Sequence, residues 1–456
     1  MDQKRIVIIG MGTAAAGASA AVNHMGAGAE VSIVEKRGYE MYSACCLPFA
    51  FEGRLEFESL KHGFPARGPK TNLYLNTEAV SIDTGGKEVG IEDDKGQHIL
   101  EYDALIIATG AKAVVPNIAN LNEYIGKDAY TLYSWEDVYR LYQAKDAYTK
   151  AAVIGAGAIG VEFAVAMRKQ GLEVMIVEIM EQVFPGALDR DMARHVHEYL
   201  DDQQIKVVTN STVSRVWGDA RLEGITIGEQ DFEADLAILA CGTVPNVEWL
   251  QDFGISCNKN GIITSSTMMT NVHGVYAAGD CVETLHAITG NRCRSMLAEP
   301  AIKQGRVAGI NAAGGTEHYA GTMNTSISVL GDHAVGSTGL TAEQARNEGH
   351  ELVMQKAKGF TKPSWYADRR ELIVKLIADK TGRLLGGQIY GEKHAVKNRL
   401  DIISAYLSAG GTLTDIMQAE LAYCPDVADI PDPLTTAAEF MYRRVMRQES
   451  AADSHR

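Results

Sequence analysis

Ile6-Val7-Ile8-Ile9-Gly10-Met11-Gly12-Thr13-Ala14-Ala15 decides the fold. A short apolar run ends in G-x-G-x-x-A, and the Ala-rich stretch to His24 reads as a helix. Val31-Ser32-Ile33-Val34 reads as the next strand, and Glu35 closes it. Strand, glycines, helix, strand and acid in register make a βαβ dinucleotide unit. The glycines permit a tight turn and let backbone approach a pyrophosphate at the helix N-terminus, while the acid bonds a ribose hydroxyl.

The pattern recurs. Ala151-Ala152-Val153-Ile154 runs into Gly155-Ala156-Gly157-Ala158-Ile159-Gly160, then a helix, Val174-Met175-Ile176-Val177 and Glu178. An acid there bonds both hydroxyls of an unphosphorylated ribose and repels a 2′-phosphate, so NADH is favoured over NADPH. Two such units in one chain predict one nucleotide passing electrons to another.

Between and after them, Tyr102 to Ala111 reads as a buried strand ending in Thr109-Gly110, and Asp235 to Gly242 repeats that ending. Gly274 to Asp280 is another apolar strand, whose Asp either bonds a flavin ribityl chain or caps a turn. Thr77 to Leu100 reads as hairpin strands, Phe51 to Leu75 as helix plus loop, and Pro116 to about Lys150 as a connecting segment. Glu299 to Asn311 is helical, with Gly305 and Gly309 allowing close packing. Past Gly321 come strand-like Ser326–Leu330, Leu372–Ala378 and Leu384–Tyr390, then one amphipathic helix from Leu400 to Met417. This part carries no nucleotide motif and is expected to dimerise.

A length of 456 residues allows about three domains of ~150 residues each. Net charge is −15 with no long basic run, which speaks against nucleic acid as a partner. No apolar stretch suits a cleaved leader or a bilayer span, so no membrane partner is expected. The cysteines at 45, 46, 241, 257, 281, 293 and 424 follow no secreted disulfide framework, which points to a reducing, cytoplasmic compartment.

Met41-Tyr42-Ser43-Ala44-Cys45-Cys46-Leu47-Pro48-Phe49 places two adjacent cysteines between a strand end and a helix start. Pro48 suits a first helical turn, and the helix N-terminus favours thiolate at a cysteine just before it. The other reading of this stretch is two small apolar core residues.

Taken together, these motifs resemble the two-dinucleotide-domain flavoproteins of the pyridine nucleotide–disulfide oxidoreductase family over essentially the whole chain. The resemblance implies an α/β fold of two Rossmann-like domains, the second inserted in the first, plus a C-terminal α+β dimerisation domain. The boundaries expected are 1–115 and 246–322 for FAD, 116–245 for NAD(H), and 323–456 for a homodimer interface. It implies that Gly10, Gly12, Thr13, Ala14, Ala15, Glu35 and Lys36 hold FAD. Ser43, Ala108, Thr109, Gly110, Gly279 and Asp280 complete that site. Gly155, Gly157, Ile159, Gly160, Glu162, Glu178 and Gly242 would hold NADH.

Single-cysteine members of the family carry Ser-Phe-x-Asn-Cys-Gly-Leu-Pro-Tyr, which Ser43 to Phe49 resembles. Lys303-Gln304-Gly305-Arg306-Val307-Ala308-Gly309-x-Asn311, Gly321-Thr322-x-x-Thr325-Ser326 and Glu420-Leu421-Ala422-Tyr423-x-Pro425 are similar as well. They point to the coenzyme A-disulfide reductase, NADH oxidase/peroxidase and polysulfide reductase branch. The two-cysteine branch needs C-x4-C, and position 50 is Ala50.

Three departures stand out. Cys46 replaces the family's Gly, either as a resolving thiol or as a space filler, and no stable Cys45–Cys46 disulfide is expected. Met11 to Ala14 lacks the His that assists peroxidatic members. Cys424 follows Tyr423 in the tail segment that, in the family, reaches the partner's redox cysteine; it is either a third thiol or a core residue. No rhodanese-like appendage is expected, since the sequence ends at Arg456.

The implied activity is electron transfer from NADH through flavin to Cys45, reducing a small disulfide, persulfide or polysulfide, with Tyr423 assisting the departing thiolate. The alternatives are an NADH oxidase or peroxidase with Cys45 as sulfenate, and an electron carrier or redox sensor acting on a protein. Arg67, Lys70, Arg369 and Arg370 are candidates for an anionic substrate, or plain solvated surface. No metal site is expected.

Overall fold

The computed structural model describes residues 4–25 and 28–453. They form two compact units. The first contains the residues up to Val114, Tyr133–Trp135 and Gly242–Thr322; the second contains Val115–Leu132, Glu136–Cys241 and the residues from Met323 on.

In the first unit Ile6 to Ile9 are apolar without alternation because both faces of their strand are covered. Arg5–Ile9 lies in the middle of a parallel sheet whose order is Val275–Ala277, Ala104–Ile107, Arg5–Ile9, Glu30–Val34 and Thr71–Tyr74. Ile6, Ile8, Ile33, Leu105, Ile106 and Ile107 are buried in its core. The helix Thr13–His24 packs against the helix Ala298–Ala312 almost backbone to backbone. A Cβ at Gly17 would collide with the Ile302 carbonyl, at Gly305 with that of Ala14, and at Gly309 with that of Ala18. The close packing expected of Gly305 and Gly309 is therefore present.

The hairpin strands form as Glu78–Asp83, Glu88–Asp93 and Gly96–Glu101. The stretch from Phe51 to Leu75 differs from expectation. Its helix, Leu47–Phe51, ends where the stretch begins. A 3-10 turn Phe57–Leu60 follows, then a short strand Lys61–His62 paired with Met41–Tyr42. Thr71–Tyr74 closes the parallel sheet as an edge strand, and its mixed polar sequence hides it.

The second unit holds a parallel sheet in the order Ala129–Thr131, Leu236–Leu239, Lys150–Ile154, Glu173–Val177 and Lys206–Val208. The supposed connecting segment before Lys150 thus supplies an edge strand, and the helix Trp135–Ala144 as well. The C-terminal part is a five-stranded antiparallel sheet ordered Ser326–Leu330, His333–Gly339, Leu384–Glu392, Glu371–Asp379 and Leu352–Phe360. Buried Lys375 of this sheet bonds Asp189 at 2.9 Å and Asp191 at 2.5 Å.

The single helix expected from Leu400 to Met417 is two. Lys393–Ser408 starts at a Glu392 cap that accepts from the backbone N–H groups of His394 and Ala395. Gly410 (φ +69°) turns the chain, and Thr412 opens Leu413–Gln418 with a capping box. A last helix, Pro433–Asp453, buries Leu434, Ala437, Ala438 and Met441 at helical spacing. Among the described residues no helix is long and apolar enough to cross a membrane.

Candidate active site

Both glycine loops have the geometry their chemistry needs. Gly10 (φ +99°) and Gly155 (φ +110°) stand in a left-handed conformation, and a Cβ on them would strike the carbonyls of Ala108 and Ala240. Gly12 and Gly157 are the N-caps of the helices that follow, and a Cβ there would meet no atom within 4 Å. No side chain caps either helix, and neither has an acid in its first turn. Each loop thus presents helix N–H groups beside open space, which fits a bound pyrophosphate. Ala14 and Ala15 are buried in the first loop. In the second, Gly160 permits closure against the Gly155 carbonyl, and Ile159 is exposed.

The two acids are built alike and then diverge. Glu35 accepts from the Met11 N–H at 2.9 Å, and Glu178 from the Ala156 N–H at 2.7 Å. Each accepts a second backbone N–H two residues on: Arg37 at 3.0 Å for Glu35, Met180 at 2.8 Å for Glu178. Glu35 is then clasped by Arg37 through Nε and Nη2, both at 2.8 Å. Among the described residues no cation pairs with Glu178. Its buried carboxylate keeps acceptor positions for a diol, and its charge adds to the burial that pushes the Cys241 thiol up to about 11.

At the same end of the first sheet as the Gly10 loop, the Ala108 N–H donates to the Ile9 carbonyl at 2.8 Å, and Thr109 Oγ1 to the Asn246 carbonyl at 3.0 Å. Gly110 (φ +67°) and Gly242 (φ +89°) make the sharp turns. The Gly279 N–H donates to Gln304 Oε1 at 2.8 Å. Burial pushes the Asp280 carboxyl up to about 6, with Arg294 opposing. Nearby, Arg294 Nε and Ser295 Oγ are buried without a protein partner. An unsatisfied Arg294 Nε acting on a half-buried carboxylate fits a hydroxyl-rich ligand. Tyr133 was missed in the sequence. Its hydroxyl accepts from the Ala111 N–H at 3.2 Å, its carbonyl accepts from Tyr42 Oη at 3.0 Å, and burial followed by Asp280 raises its pKa.

The cysteine stretch forms a strand Met41–Tyr42, a 3-10 turn Ala44–Cys46 and the helix Leu47–Phe51. Leu47, Pro48, Ala50 and Phe51 are buried, whereas Cys45 is exposed and Cys46 half-buried. Both are free thiols. Ser43 opens the turn, and its Oγ lies 3.4 Å from Nε2 of His62, a residue absent from the sequence reading.

In the second unit Glu162 accepts from the Ser328 side chain and the Val329 N–H, yet burial pushes it up to about 7. Tyr423 and Cys424 are exposed on the C-terminal segment. Of the candidate cations, Arg67 pairs with Glu40 at 2.7 Å, Lys70 reaches the Gly28 carbonyl at 3.4 Å, and Arg369 lies over the Phe360 ring at 4.2 Å. No cluster of metal-ligating side chains occurs among the described residues.

Two dinucleotide folds, a solvent-facing cysteine at a helix start and a separate antiparallel C-terminal sheet define a flavin-dependent pyridine nucleotide oxidoreductase. The chain belongs to the pyridine nucleotide-disulphide oxidoreductase family, whose description matches residues 4–305, while residues 325–432 match its dimerisation domain. It is 33% identical to a CoA-dependent NAD(P)H sulfur oxidoreductase of Pyrococcus abyssi, over 96% of this chain and 98% of that one. It is 31% identical to an NADH oxidase of Methanocaldococcus jannaschii, over 95% and 98%. A solved NAD-dependent persulfide reductase from A. fulgidus superposes with a TM-score of 0.91 at 29% identity, over 96% of this chain and 83% of that one. The family fold, the enzyme class and the use of FAD with NAD(P)H follow, as does dimer formation through the C-terminal part.

Proposed function

We propose that this enzyme reduces a small disulfide, persulfide or polysulfide with electrons from NADH, and that Cys45 is the sulfur that takes part. The observation that carries the reading is the exposure of Cys45 in a stretch whose apolar neighbours are buried. A cysteine kept as a small core residue would be covered. The names of the Pyrococcus and A. fulgidus relatives support a sulfur substrate.

FAD supplies the step between a hydride donor and sulfur chemistry. The chain's own residues do the rest. We assign residues 1–115 and 246–322 to FAD, 116–245 to NADH and 323–456 to the dimer. Gly10, Gly12 and the N–H groups from Thr13 to Ala15 cradle its pyrophosphate, Glu35 and Lys36 lie at its adenosine end, and Asp280 accepts from its ribityl hydroxyls. Ser43 and the Ala108-Thr109-Gly110 turn flank the reactive end. Gly155, Gly157, Ile159 and Gly160 form the second cradle, with Glu178 on the ribose diol and Glu162 on the helix that follows the loop. The turn before Leu47–Phe51 holds Cys45 as thiolate. Tyr423 of the partner subunit donates to the departing thiolate. Cys46 and Cys424 are spare thiols that can resolve a mixed disulfide.

A second reading, NADH oxidase, is motivated by the name of the Methanocaldococcus relative. Turnover with coenzyme A disulfide, polysulfide, peroxide and oxygen in parallel separates the two. Cys45→Ser should abolish reduction of the sulfur substrates while FAD stays bound. Undiminished sulfur turnover in that variant removes Cys45 from the reaction.

A further inference from the structure

An aspartate of the second unit breaks a local rule. Asp189 is the N-cap of the helix Arg190–Asp202, where an aspartate ordinarily accepts N–H groups of its own helix, yet its side chain makes no capping bond. The carboxylate is given to the C-terminal part instead. Oδ1 accepts the Ala342 N–H at 3.0 Å, and Oδ2 accepts from Gln388 Nε2 at 3.0 Å and Lys375 Nζ at 2.9 Å. Gln388 Oε1 accepts the Asp189 N–H at 3.0 Å, so these two residues are joined twice. Gln388 and Lys375 are both buried and stand opposite each other on paired strands. A broken local rule of this kind marks a place where position matters more than the helix end.

What Asp189 holds is the loop that leaves Glu178. Within it Phe184 has φ +50°, a costly conformation for a bulky side chain, and is buried. The Phe184 N–H donates to the Ala156 carbonyl of the second glycine loop at 2.8 Å. Gly157 and Ala158 share one cavity with Phe184, Pro185 and Leu188. Gln344 Nε2 adds a bond to the Gly186 carbonyl at 3.1 Å. One wall of the space beside the cradle is therefore a strained loop whose far end is anchored in the C-terminal sheet. Such strain persists only where the surroundings over-determine it.

We propose that Gln388 and Asp189 are positioning residues for NADH. The clasp between them keeps Phe184 to Leu188 in the shape that completes the second cradle, so the C-terminal part serves the nucleotide site as well as the dimer. This deepens the assignment of the Gly155 loop to NADH and rests on it. Released from the clasp, Phe184 relaxes toward negative φ and draws its N–H away from Ala156. The cradle is then competent for only a fraction of the time, and the apparent affinity falls by that fraction. The chemistry that follows binding does not use the clasp.

The test uses the FAD-loaded, full-length enzyme as wild type, Gln388→Leu, Asp189→Asn and Lys356→Met. Lys356 lies on the same sheet but reaches the helix, at Asp191 and His195, rather than the loop, so its variant loosens sheet from helix and leaves the clasp intact. FAD content and melting temperature report folding. Calorimetric titration with NAD+ gives a nucleotide Kd without turnover. In Gln388→Leu and Asp189→Asn the Kd for NAD+ and the KM for NADH should rise about tenfold, with kcat at saturating NADH within about twofold of wild type. Lys356→Met should keep the wild-type Kd. Amide hydrogen exchange over residues 180–188 should be slow in nucleotide-free wild type and faster in both clasp variants. An unmoved Kd in the folded clasp variants, an equal rise in Lys356→Met, or an unprotected 180–188 segment in nucleotide-free wild type overturns the proposal, and the last needs no variant. If one clasp variant fails to take up FAD, the other decides. Glu178→Ala is titrated alongside: an unmoved Kd there refutes the assignment of the loop to NADH, whereas a raised Kd there with wild-type values in the clasp variants refutes only the clasp.

Discussion

Arg37 clasps Glu35 with two N–H groups, both at 2.8 Å, while Met180, in the matching place after Glu178, gives only a backbone N–H. One βαβ acid is paired with a cation two residues on, and among the described residues no cation pairs with the other. This difference is expected to give the two nucleotide units different selectivities from nearly the same loop.

Glu178 is therefore the residue expected to separate NADH from NADPH. A carboxylate that accepts two ribose hydroxyls contributes about 1.5–3 kcal/mol as charge-assisted hydrogen bonds. Glu178→Ala should lower kcat/KM for NADH about tenfold or more and leave that for NADPH unchanged or raised, compressing the ratio of the two. Steady-state kinetics with both nucleotides reads this, and an unchanged ratio would remove Glu178 from the role.

Arg37 should matter for FAD retention rather than for nucleotide choice. Removing it leaves a buried carboxylate without its cation, which costs up to about 3–5 kcal/mol in a fully buried pair and less here, because Arg37 is partly exposed. Arg37→Met should lose FAD on dialysis and melt several degrees lower. A variant as yellow and as stable as wild type would show that backbone donors suffice for Glu35.

Glu162 gives a pH-dependent stability of definite sign. Its ordinary value is 4.5 and burial raises it to about 7 in the folded chain. Below 4.5 both states hold the proton and the residue costs nothing. Between the two values the unfolded chain ionises first, and above about 7 the whole penalty is present. Glu162→Gln should therefore stabilise the protein by about 1–3 kcal/mol at pH 8.5 and hardly at all at pH 5. Urea melts at the two pH values check it; equal effects at both would contradict the assignment.

Gly305 is predicted to be irreplaceable by alanine. The added methyl would overlap the Ala14 carbonyl, which is backbone and has no room to move without carrying the first glycine loop with it. Overpacking of this kind costs about 1–3 kcal/mol. Gly305→Ala should bind FAD more weakly, whereas Gly314→Ala, where a Cβ would meet nothing within 4 Å, should report only its backbone strain (φ +101°). FAD fluorescence on release measures both.

Much of this was legible in the sequence because glycine loops and buried parallel strands write themselves as runs. Ile6–Ile9 and Ala151–Ile154 show no alternation, and Glu35 and Glu178 stand where the turn leaves them. What stayed hidden was either polar edge or long-range contact. Thr71–Tyr74 and Ala129–Thr131 close their sheets as edge strands, too short and too mixed to stand out. The break at Gly410-Gly411 was there to be read, and so was the spacing of Leu434, Ala437, Ala438 and Met441; periodicity alone ran the first helix through its stop and passed over the second. Tyr133 and His62 meet partners far from them along the chain, and Arg37, though only two residues from Glu35, stands at a position that no motif marks.

The most direct test of the account is an anaerobic NADH titration of FAD-loaded enzyme first oxidised with coenzyme A disulfide. If Cys45 is a redox partner of the flavin, wild type should consume about two equivalents of NADH per FAD and Cys45→Ser about one. About one equivalent in both would contradict the account and leave an oxidase or carrier that has the cysteine without using it.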